Sequence, residues 1–534
     1  MLSVAAQLLL CSCCLPAAAA LKFLVVPMPG DNSPVLDIMS VAAQLQSRGH
    51  TVIVAADPAG AAFAKMAAAR HSSNTTAEAM QYITLQLEQQ YTLDSMVERM
   101  ASKVKGSFSK SKLTGIKLLL QLQEIMVQPC HAILKNATLV QQLRALEADA
   151  VMGMALPGSD PTGDSCGCML SHALGIHSVV VNGCPLLQAP LNVPQMGTGN
   201  TPQDLSTAKG FAKNLAVWSL HQAAPLAIEL IGSPWLKARR DLGLPRVLSQ
   251  CPLVNAVAWL RRQAAASCTP VVETALTSWL LEYPRPLPPH QVLVGPGSPR
   301  AAHVISQPDV AAFLDSAPAG VVLMATGTTP QPRIALNQKD ILELAAGFAE
   351  LAPVRVLWPL KQRALPDGLK MEYLPLGENT LVVPWVDYND VLGHPNTRVL
   401  VSHGGYHSVY EAMFHAVPVV GAPFQFEQEG NLHKLAAKGM AVMLPDSAAI
   451  RKHSNDTFQR QQVADTIRQV LDNPSYAAAA QQLSRALQAY SRARSPYERA
   501  ADEIELAINA RKAQQEQLLV RNQPQSRSRD KQEL

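Results

Sequence analysis

The sequence predicts an α/β protein with two parallel-sheet domains, and three observations lead to that class. The chain has 534 residues, enough to bury at least two large cores. Short apolar runs rich in β-branched residues alternate with amphipathic helical segments in both halves. Between the halves, "EYPRPLPPHQVLVGPGSP" (282–299) is dense in proline and glycine, which is typical of a stiff interdomain connection.

The first half begins with a βαβ unit. "FLVV" (23–26) precedes a loop and an amphipathic helical run, and "RGHTVIVAA" (48–56) then forms a second strand. Apolar runs recur at "VMGM" (151–154) and "HSVVVNG" (177–183), with helical segments between them. Because continuous apolar strands are typical of sheets covered on both faces, residues 21–295 are predicted to form one parallel α/β domain.

The second half repeats this pattern. The runs "GVVLMATGT", "VRVLW", "TLVVPW" and "RVLVSHGG" are predicted strands. Predicted helices follow at about 407–415, 428–438, 459–472 and 476–490. Residues 296–490 are therefore predicted to form a second, doubly wound domain. Beyond about residue 495 the chain is polar and rich in Gln and Arg, so residues 491–534 are predicted to be a largely disordered tail.

The two ends of the chain carry targeting patterns. Residues 1–20 are apolar and end in Ala18-Ala19-Ala20, which predicts a signal peptide; an apolar extension or a plastid leader are the alternatives. The last four residues, "KQEL", differ by one residue from an endoplasmic-reticulum retrieval signal. We expect the endoplasmic reticulum lumen or the secretory pathway, with a cytoplasmic or plastid location as the alternative. No other stretch is apolar enough to span a bilayer, so no membrane anchor is expected after cleavage.

Composition excludes several classes of function. The net charge of +4 is too small to indicate a nucleic-acid partner. Six cysteines follow the leader, and they are either paired in an oxidising lumen or buried as small apolar residues. Cys166-Gly-Cys168 lacks the spacing of a zinc site.

The junction "RVLVSHGGYHSVYEA" carries the chemistry. His403-Gly404-Gly405 lies where a parallel strand ends, which is the edge where such sheets bind ligands. The glycines permit a tight turn, and the helix that follows offers free N–H groups to an anion. His403 and Ser408 can donate to phosphate, while the acid Glu411 suits ribose hydroxyls. A Gly-Gly turn with a solvated helix face is the alternative.

Other nucleotide motifs are missing from the sequence. There is no G-x-x-x-x-G-K-[ST] and no G-x-G-x-x-G after the first strand. These absences argue against a P-loop and against a dinucleotide fold of the usual kind. H-E-x-x-H and G-x-S-x-G are also missing, which removes two common hydrolase motifs.

Three segments resemble the UDP-glycosyltransferase family, and the animal membrane type more than the soluble plant type. "WVDYNDVLGHPNTRVLVSHGGYHSVYEA" is similar to the family's nucleotide-sugar signature, "EYPRPLPPHQVLVG" to its interdomain connection and "RGHTVIVAA" to its second strand. The resemblance covers about residues 22–490. It implies the GT-B architecture: two Rossmann-like domains facing a cleft, with the acceptor in the first, the UDP-sugar in the second, and no metal.

The resemblance also implies roles for individual residues. Trp385 would stack on uracil with Tyr388 beside it, and Glu411 would bind the ribose. The diphosphate would be held by His403, Gly405, His407 and Ser408, with Thr328 at a phosphate, and the sugar hydroxyls by Glu427 and Gln428. Four positions depart from the family, which more often has Gln at Tyr388, Asn at His407, Gly at Ser408 and Arg at Pro359.

The family's catalytic pair is not found at its usual positions. The position of the catalytic His holds Pro34, and that of the Asp which orients it holds Met154. Asp31 is the predicted substitute base, with a turn or helix-cap carboxylate as the alternative. Asp37 lies one turn into the helix and is expected to be less well aimed. Asp160 and Asp164 are further candidates.

The predicted activity is inverting transfer of a hexose from UDP-glucose or UDP-glucuronate to a small lipophilic acceptor. The alternative acceptor is an amine or an already acidic hydroxyl, whose attack needs little help from a base. The rival hypothesis is a non-catalytic nucleotide-sugar-binding homologue, because Pro34 replaces the usual base. The "WVDYNDVLGHP" run argues against a nucleotide-sugar epimerase.

Overall fold

The structure is a computed structural model. Apart from a few isolated positions, it describes residues 19–27, 32–70, 79–88, 113–154, 165–182, 190–195, 198–247, 265–266, 268–327, 336–424, 426–445 and 457–522. The cleavable leader proposed for residues 1–20 and the "KQEL" end lie almost entirely outside these ranges. Asp31, Thr328, Asp160 and Asp164 also lie outside the described residues.

The first domain is built on a seven-stranded sheet in which every paired strand is parallel. Its strands are β1 (Lys22–Val25), β2 (Thr51–Ala56), β3 (Gln81–Thr84), β4 (Ala150–Gly153), β5 (His177–Asn182), β6 (Val272–Ala275) and β7 (Gln291–Leu293). Their spatial order is β3-β2-β1-β4-β5-β6-β7. A separate two-residue pair joins Arg246–Val247 to Ala265–Ala266. Strands β1, β2, β4 and β6 are largely buried because apolar residues face helices on both sides of the sheet, whereas the edge strands β3 and β7 are partly exposed.

The helices of the first domain lie between these strands. They are α1 (Asn32–Ser47), α2 (Pro58–Arg70), α3 (Leu113–Lys135), α4 (Ala137–Ala145), α5 (Cys166–Leu174), α6 (Ala208–Ile231) and α7 (Pro234–Asp241). Side-chain oxygens start three of them: Asn136, Ser165 and Ser233 accept backbone N–H groups of the first turns of α4, α5 and α7.

The second domain has a six-stranded sheet, again fully parallel. Its strands are β8 (Val321–Ala325), β9 (Arg355–Pro359), β10 (Thr380–Val383), β11 (Thr397–Ser402), β12 (Val419–Gly421) and β13 (Ala441–Met443). The order is β10-β9-β8-β11-β12-β13. Strands β9 and β10 are added on one side of β8, and β11 to β13 are added on its other side. The strand order therefore reverses between β8 and β11, which is the topological switch point of the sheet.

Helices cover both faces of this second sheet. They are α8 (Pro308–Asp315), α9 (Gln338–Ala349), α10 (Tyr388–Leu392), α11 (Tyr406–Phe414), α12 (Phe426–Ala437), α13 (Arg460–Asp472) and α14 (Pro474–Arg492). Two apolar clusters, one on each face, fill the space between helices and sheet. The helices predicted from the sequence match α11 to α14 within about two residues.

The prediction of a disordered tail is wrong for most of its length. Residues Pro496–Asn522 form a further helix, α15, which packs on α1 of the first domain. Five of its residues are buried in the first domain's core: Tyr497, Ala500, Ala501, Ile504 and Ile508. These residues recur at helical spacing, so a narrow apolar stripe fixes a helix that is polar elsewhere.

The two domains are joined by buried polar contacts as well as by α15. The hydroxyl of Tyr410, in α11, lies 3.0 Å from Thr277 Oγ1 and accepts the N–H of Ser278 at 3.0 Å. Lys434, in α12, donates to both carboxylate oxygens of Glu282 at 2.9 Å. Because both carboxylate oxygens are bonded, the fully buried Glu282 is a compensated charge rather than an isolated one.

Four of the six cysteines that follow the leader form two disulfides within the first domain. Cys130 pairs with Cys166, and Cys168 pairs with Cys268. These pairs agree with the first of the two alternatives drawn from the sequence. Cys184 and Cys251 lie outside the described residues. Among the residues that the structure describes, no helix combines the length and the apolar character needed to cross a membrane.

Candidate functional site

The carboxyl ends of β8 and β11 meet at the switch point of the second sheet, where Ala325 pairs with Ser402. His403 follows β11 directly. Its backbone N–H donates to the carbonyl of Ala325 at 3.2 Å, and its ring Nδ1 lies 3.1 Å from the same oxygen. Since a carbonyl can only accept, Nδ1 carries the proton, and the imidazole links the two strand ends.

This contact determines what His403 can do. The side chain is buried, and burial lowers its pKa to about 4. The ring is therefore neutral near pH 7, with its proton on Nδ1 and a lone pair on Nε2. Donation to a phosphate oxygen, the role expected from the sequence, requires a second proton on Nε2. A bound dianion supplies the charge that favours this proton.

The glycines of the junction pack against the protein's own atoms. A Cβ on Gly405 would lie 2.3 Å from His403 Nε2, and one on Gly327 would lie 2.9 Å from that nitrogen. Gly404 has φ of +87°, and a Cβ there would meet the carbonyl oxygen of Gln428 at 2.7 Å. From the sequence, these glycines were expected to let a ligand approach closely. In the structure they first admit the His403 ring and helix α12.

Gly405→Ala is expected to weaken binding of UDP by about tenfold or more, because the new methyl group must displace a buried ring. The measurement is titration calorimetry with UDP. Circular dichroism and the melting temperature of the same variant establish that the fold is retained. An unchanged UDP affinity in a folded variant would show that the position of the His403 ring is irrelevant to the site.

Helix α11 begins at this junction without a side-chain cap. Its N-cap residue is Gly405, which has no side chain to accept from the first turn. The amides of Tyr406, His407 and Ser408 therefore face the strand ends with their bonding capacity unmet by a cap. Together with the helix dipole, this arrangement favours an anion at the switch point.

Glu411 lies one turn further along α11. Its side chain is buried, at 6% exposed, and no group in the described part of the chain donates a hydrogen bond to its carboxylate. Burial raises its pKa to about 7, against the opposing effects of His407 and Arg70. A buried carboxylate without a partner is costly, so this position is explained best by a ligand that donates hydrogen bonds.

Trp385 and Tyr388 follow strand β10 and differ in their surroundings. The Trp385 side chain is 55% exposed, so a flat ring can stack on its indole. Tyr388 is partly buried, and its hydroxyl lies beside the backbone amides of Thr326 and Gly327. Burial raises the pKa of Tyr388. This tyrosine therefore supports the loop that follows β8.

The residues expected at the sugar lie at the start of α12. Gln428 is buried, and its Oε1 accepts the backbone N–H of Phe424 at 2.9 Å. That oxygen therefore helps to fix the turn before the helix. Glu427 is partly exposed beside it, and Ser408 is buried in the first turn of α11.

His407 contacts the opposite domain, a contact that the sequence did not predict. Its Nε2 lies 2.8 Å from Oδ2 of Asp37 in α1. Nearby, Arg70 of α2 donates to Oδ2 of Asp387 at 3.1 Å. Asp37 was expected to be less well aimed because it lies one turn into its helix, but the sequence cannot show that His407 of α11 reaches that turn.

The two positions at which the family resemblance places the catalytic pair hold apolar side chains. Pro34 is buried in the first turn of α1, and Met154 is 7% exposed at the end of β4. Neither side chain can accept a proton. Within the described ranges, no three His, Cys, Asp or Glu side chains come together as a metal site.

Comparison with known proteins agrees with this geometry. A family model described as UDP-glucoronosyl and UDP-glucosyl transferase matches residues 21–207 and 263–514. A 2-hydroxyacylsphingosine 1-beta-galactosyltransferase of Rattus norvegicus is 27% identical over 396 residues, which cover 72% of this chain and 63% of that protein. UDP-glucuronosyltransferase 1A4 of Oryctolagus cuniculus is 26% identical over 499 residues, which cover 90% of this chain and 81% of that protein. The match with the rat protein thus spans less than two thirds of its length.

Solved structures share the architecture. The calicheamicin glycosyltransferase CalG4 aligns with a TM-score of 0.56 and 17% identity, over 92% of this chain and 99% of that one. At that identity the likeness concerns the fold alone. The two parallel sheets and this match together give the chain the GT-B fold, as the sequence predicted.

Proposed function

The chain belongs to the UDP-glucoronosyl and UDP-glucosyl transferase family, and on that premise we propose that it transfers a hexose from a UDP-sugar to a small lipophilic acceptor. The proposed donor is UDP-glucose or UDP-glucuronate, and the anomeric configuration inverts. The proposed reaction uses no metal and no cofactor besides the donor. The proposed location is the endoplasmic reticulum lumen or the secretory pathway, and the two disulfides suit an oxidising compartment.

The observation that carries the proposal is the buried carboxylate of Glu411, to which no group in the described ranges donates a hydrogen bond, next to a helix start whose N-cap residue is a glycine. Ribose hydroxyls can donate to the carboxylate, while the first-turn amides of α11 and a protonated His403 hold the diphosphate. Trp385 offers its exposed face to uracil, and Thr328 contacts a phosphate. Glu427 and Gln428 bind hydroxyls of the sugar. In this arrangement the departing UDP gains charge where fixed donors already point at it.

A non-catalytic nucleotide-sugar-binding protein is the second candidate, and one observation favours it. Pro34 and Met154 are buried apolar side chains at the usual positions of the base and its partner. Asp31, the substitute proposed from the sequence, lies outside the described residues. Release of UDP from UDP-glucose or UDP-glucuronate with a panel of phenols and amines separates the two candidates, since a binding protein retains the donor without turnover.

Binding of UDP at pH 8 is expected to be accompanied by proton uptake, at most one proton per site, because His403 is neutral in the free protein and needs a second proton on Nε2 to donate to a phosphate. The measurement is calorimetry in buffers of different ionisation enthalpy. His403→Gln should bind UDP about tenfold more weakly and without proton uptake. His415→Gln is the matched control, because its pKa is also lowered to about 4 but it lies at the far end of α11.

Two outcomes would contradict the proposed donor site. The first is a complete lack of UDP binding by the intact protein. The second is binding that takes up the same number of protons in the His403 variant as in the unaltered chain, since the proton would then belong to another group.

A further inference from the structure

One side-chain pair next to the donor site is built from both domains. His407 is the second residue of α11, and Asp37 lies on the inner face of α1, one turn beyond Pro34. His407 Nε2 and Asp37 Oδ2 are 2.8 Å apart. A histidine and a carboxylate thus meet in the cleft, one turn from Pro34. Pro34 occupies the position where the family resemblance places the base.

Asp37 is held in a fixed orientation. Its side chain is 1% exposed, and its second oxygen, Oδ1, accepts a hydrogen bond from the hydroxyl of Tyr497 at 3.1 Å. Each carboxylate oxygen therefore has its own partner, one from α15 and one from α11. A carboxylate that accepts at both oxygens is held in one orientation, and it fixes the imidazole that donates to it.

The contact with Asp37 also determines the tautomer of neutral His407. When Nε2–H donates to Asp37, the lone pair lies on Nδ1. In the described part of the chain no group bonds to that nitrogen, and the side chain is 17% exposed. This tautomer is the opposite of that of His403, whose Nδ1 carries the proton.

Four charged or titratable groups from four elements act on the His407 ring. Burial and Arg70 of α2 lower its pKa, while Asp37 of α1 and Glu411 of α11 raise it, and the net direction is upward. Tyr497 of α15 acts through its bond to Asp37. The free base form therefore becomes dominant only as the pH rises through the raised value.

We propose that His407 is the general base of the transfer reaction and that Asp37 orients it; this rests on the function proposed above. The acceptor O–H bond breaks as its proton moves to His407 Nδ1. The oxygen forms a bond to the anomeric carbon, and the bond from that carbon to the β-phosphate oxygen breaks with its electron pair leaving on UDP. The proton remains on the imidazolium beside the Asp37 carboxylate until solvent removes it.

The His407–Asp37 pair is contributed by both domains. Because the base and the residue that orients it lie in different domains, the catalytic group is complete only when the two domains meet. Separation of the domains would free His407 to rotate and would leave the base without its orienting carboxylate. Turnover is thus coupled to closure of the cleft.

His407→Asn tests the role of the ring, since Asn keeps a hydrogen-bonding side chain but cannot act as a base. We expect turnover of UDP-glucose or UDP-glucuronate with phenol to fall about 10²–10⁴-fold, with UDP affinity changed only a few-fold. Asp37→Asn should lower the turnover rate and move the rising limb of its pH profile to lower pH. Tyr497→Phe, which removes the hydroxyl that bonds Asp37 and Ser40, should lower the turnover rate by a smaller factor.

Nitrogen NMR of the histidine rings gives a readout that needs no acceptor. The expected spectrum at high pH shows His407 protonated at Nε2 and His403 at Nδ1, and Asp37→Asn should lower the pKa of His407. A His407 ring protonated at Nδ1 would overturn the proposal. So would a His407→Asn variant with normal turnover and lost UDP affinity, which would make the ring a phosphate ligand. If the unaltered chain binds no UDP, the donor site itself is wrong, whatever the tautomer of His407.

Discussion

Truncation of the chain after Ser495 is expected to leave the first domain unfolded, because helix α15 supplies part of that domain's core. Tyr497, Ala500, Ala501, Ile504 and Ile508 are each at most 3% exposed there. Removing one large buried apolar side chain costs about 2–5 kcal/mol, so loss of the whole stripe costs on the order of 10 kcal/mol. That is comparable to the full stability of a typical domain. Expression, circular dichroism and calorimetry would measure the effect.

Matched variants distinguish the stability contributed by packing of α15 from any effect of shortening the chain. Truncation after Asn522 keeps the entire helix and should preserve the melting temperature. Ile504→Ala removes a fully buried side chain and is expected to cost about 2–5 kcal/mol, whereas Leu506→Ala, at a side chain 66% exposed, should cost less than about 0.5 kcal/mol. Equal effects of the two substitutions would show that α15 does not pack on the first domain as described.

Affinity for uridine is expected to rise about tenfold between pH 6 and pH 8, because Glu411 has a pKa raised to about 7 and only its ionised form accepts from both ribose hydroxyls. Uridine is the right probe because it lacks the phosphates that engage His403. Glu411→Gln should bind uridine more weakly at pH 8 and show no such pH dependence. Calorimetric titration at the two pH values is the measurement.

The same raised pKa makes a prediction about stability with a definite sign. The Glu411 carboxyl ionises at its ordinary value of 4.5 in the unfolded chain and at about 7 in the folded one. Between these values the folded state binds more protons, so stability falls as the pH rises from about 4.5 to 7 and is constant above it. The loss is at most roughly 3 kcal/mol.

Glu411→Gln should therefore be more stable than the unaltered chain at pH 8, even though it binds uridine less well. Gain of stability with loss of binding is typical of a strained binding site. Glu372→Gln is the control, because that side chain is 63% exposed and should change neither quantity. Glu411→Gln with lower stability at pH 8 would mean that the carboxylate has a stabilising partner in the folded protein.

Much of the fold was predictable from local sequence. The strands of both sheets are runs of consecutive apolar residues, and helices α11 to α14 have a clear helical period; both signals depend only on near neighbours. Helix α15 was missed, although its apolar residues have helical spacing, because its many polar residues outweighed that narrow stripe. Several of those polar groups are paired across the domain: Glu505 contacts His50 at 2.9 Å, and Lys512 contacts Asp149 at 2.6 Å.

Part of the candidate site was likewise predictable from the sequence, and part was not. The motif placed His403, the glycines and Glu411 at the end of a parallel strand, and the structure brings these residues together. It did not indicate that Gly405 makes room for the His403 ring, since that requires knowing where the ring lies. Nor did it indicate Arg70, which reaches the site from the first domain only after folding.

The sequence by itself therefore determined the α/β class, the two sheets and the edge at which a nucleotide diphosphate is expected to bind, because each depends on residues that are neighbours along the chain. Only the tertiary structure decided the protonation of His403, the partner of His407 and the place of α15. These depend on contacts between residues as far apart as Asp37 and Tyr497. Such contacts arise from packing, which fixes burial, and burial in turn sets which groups are charged.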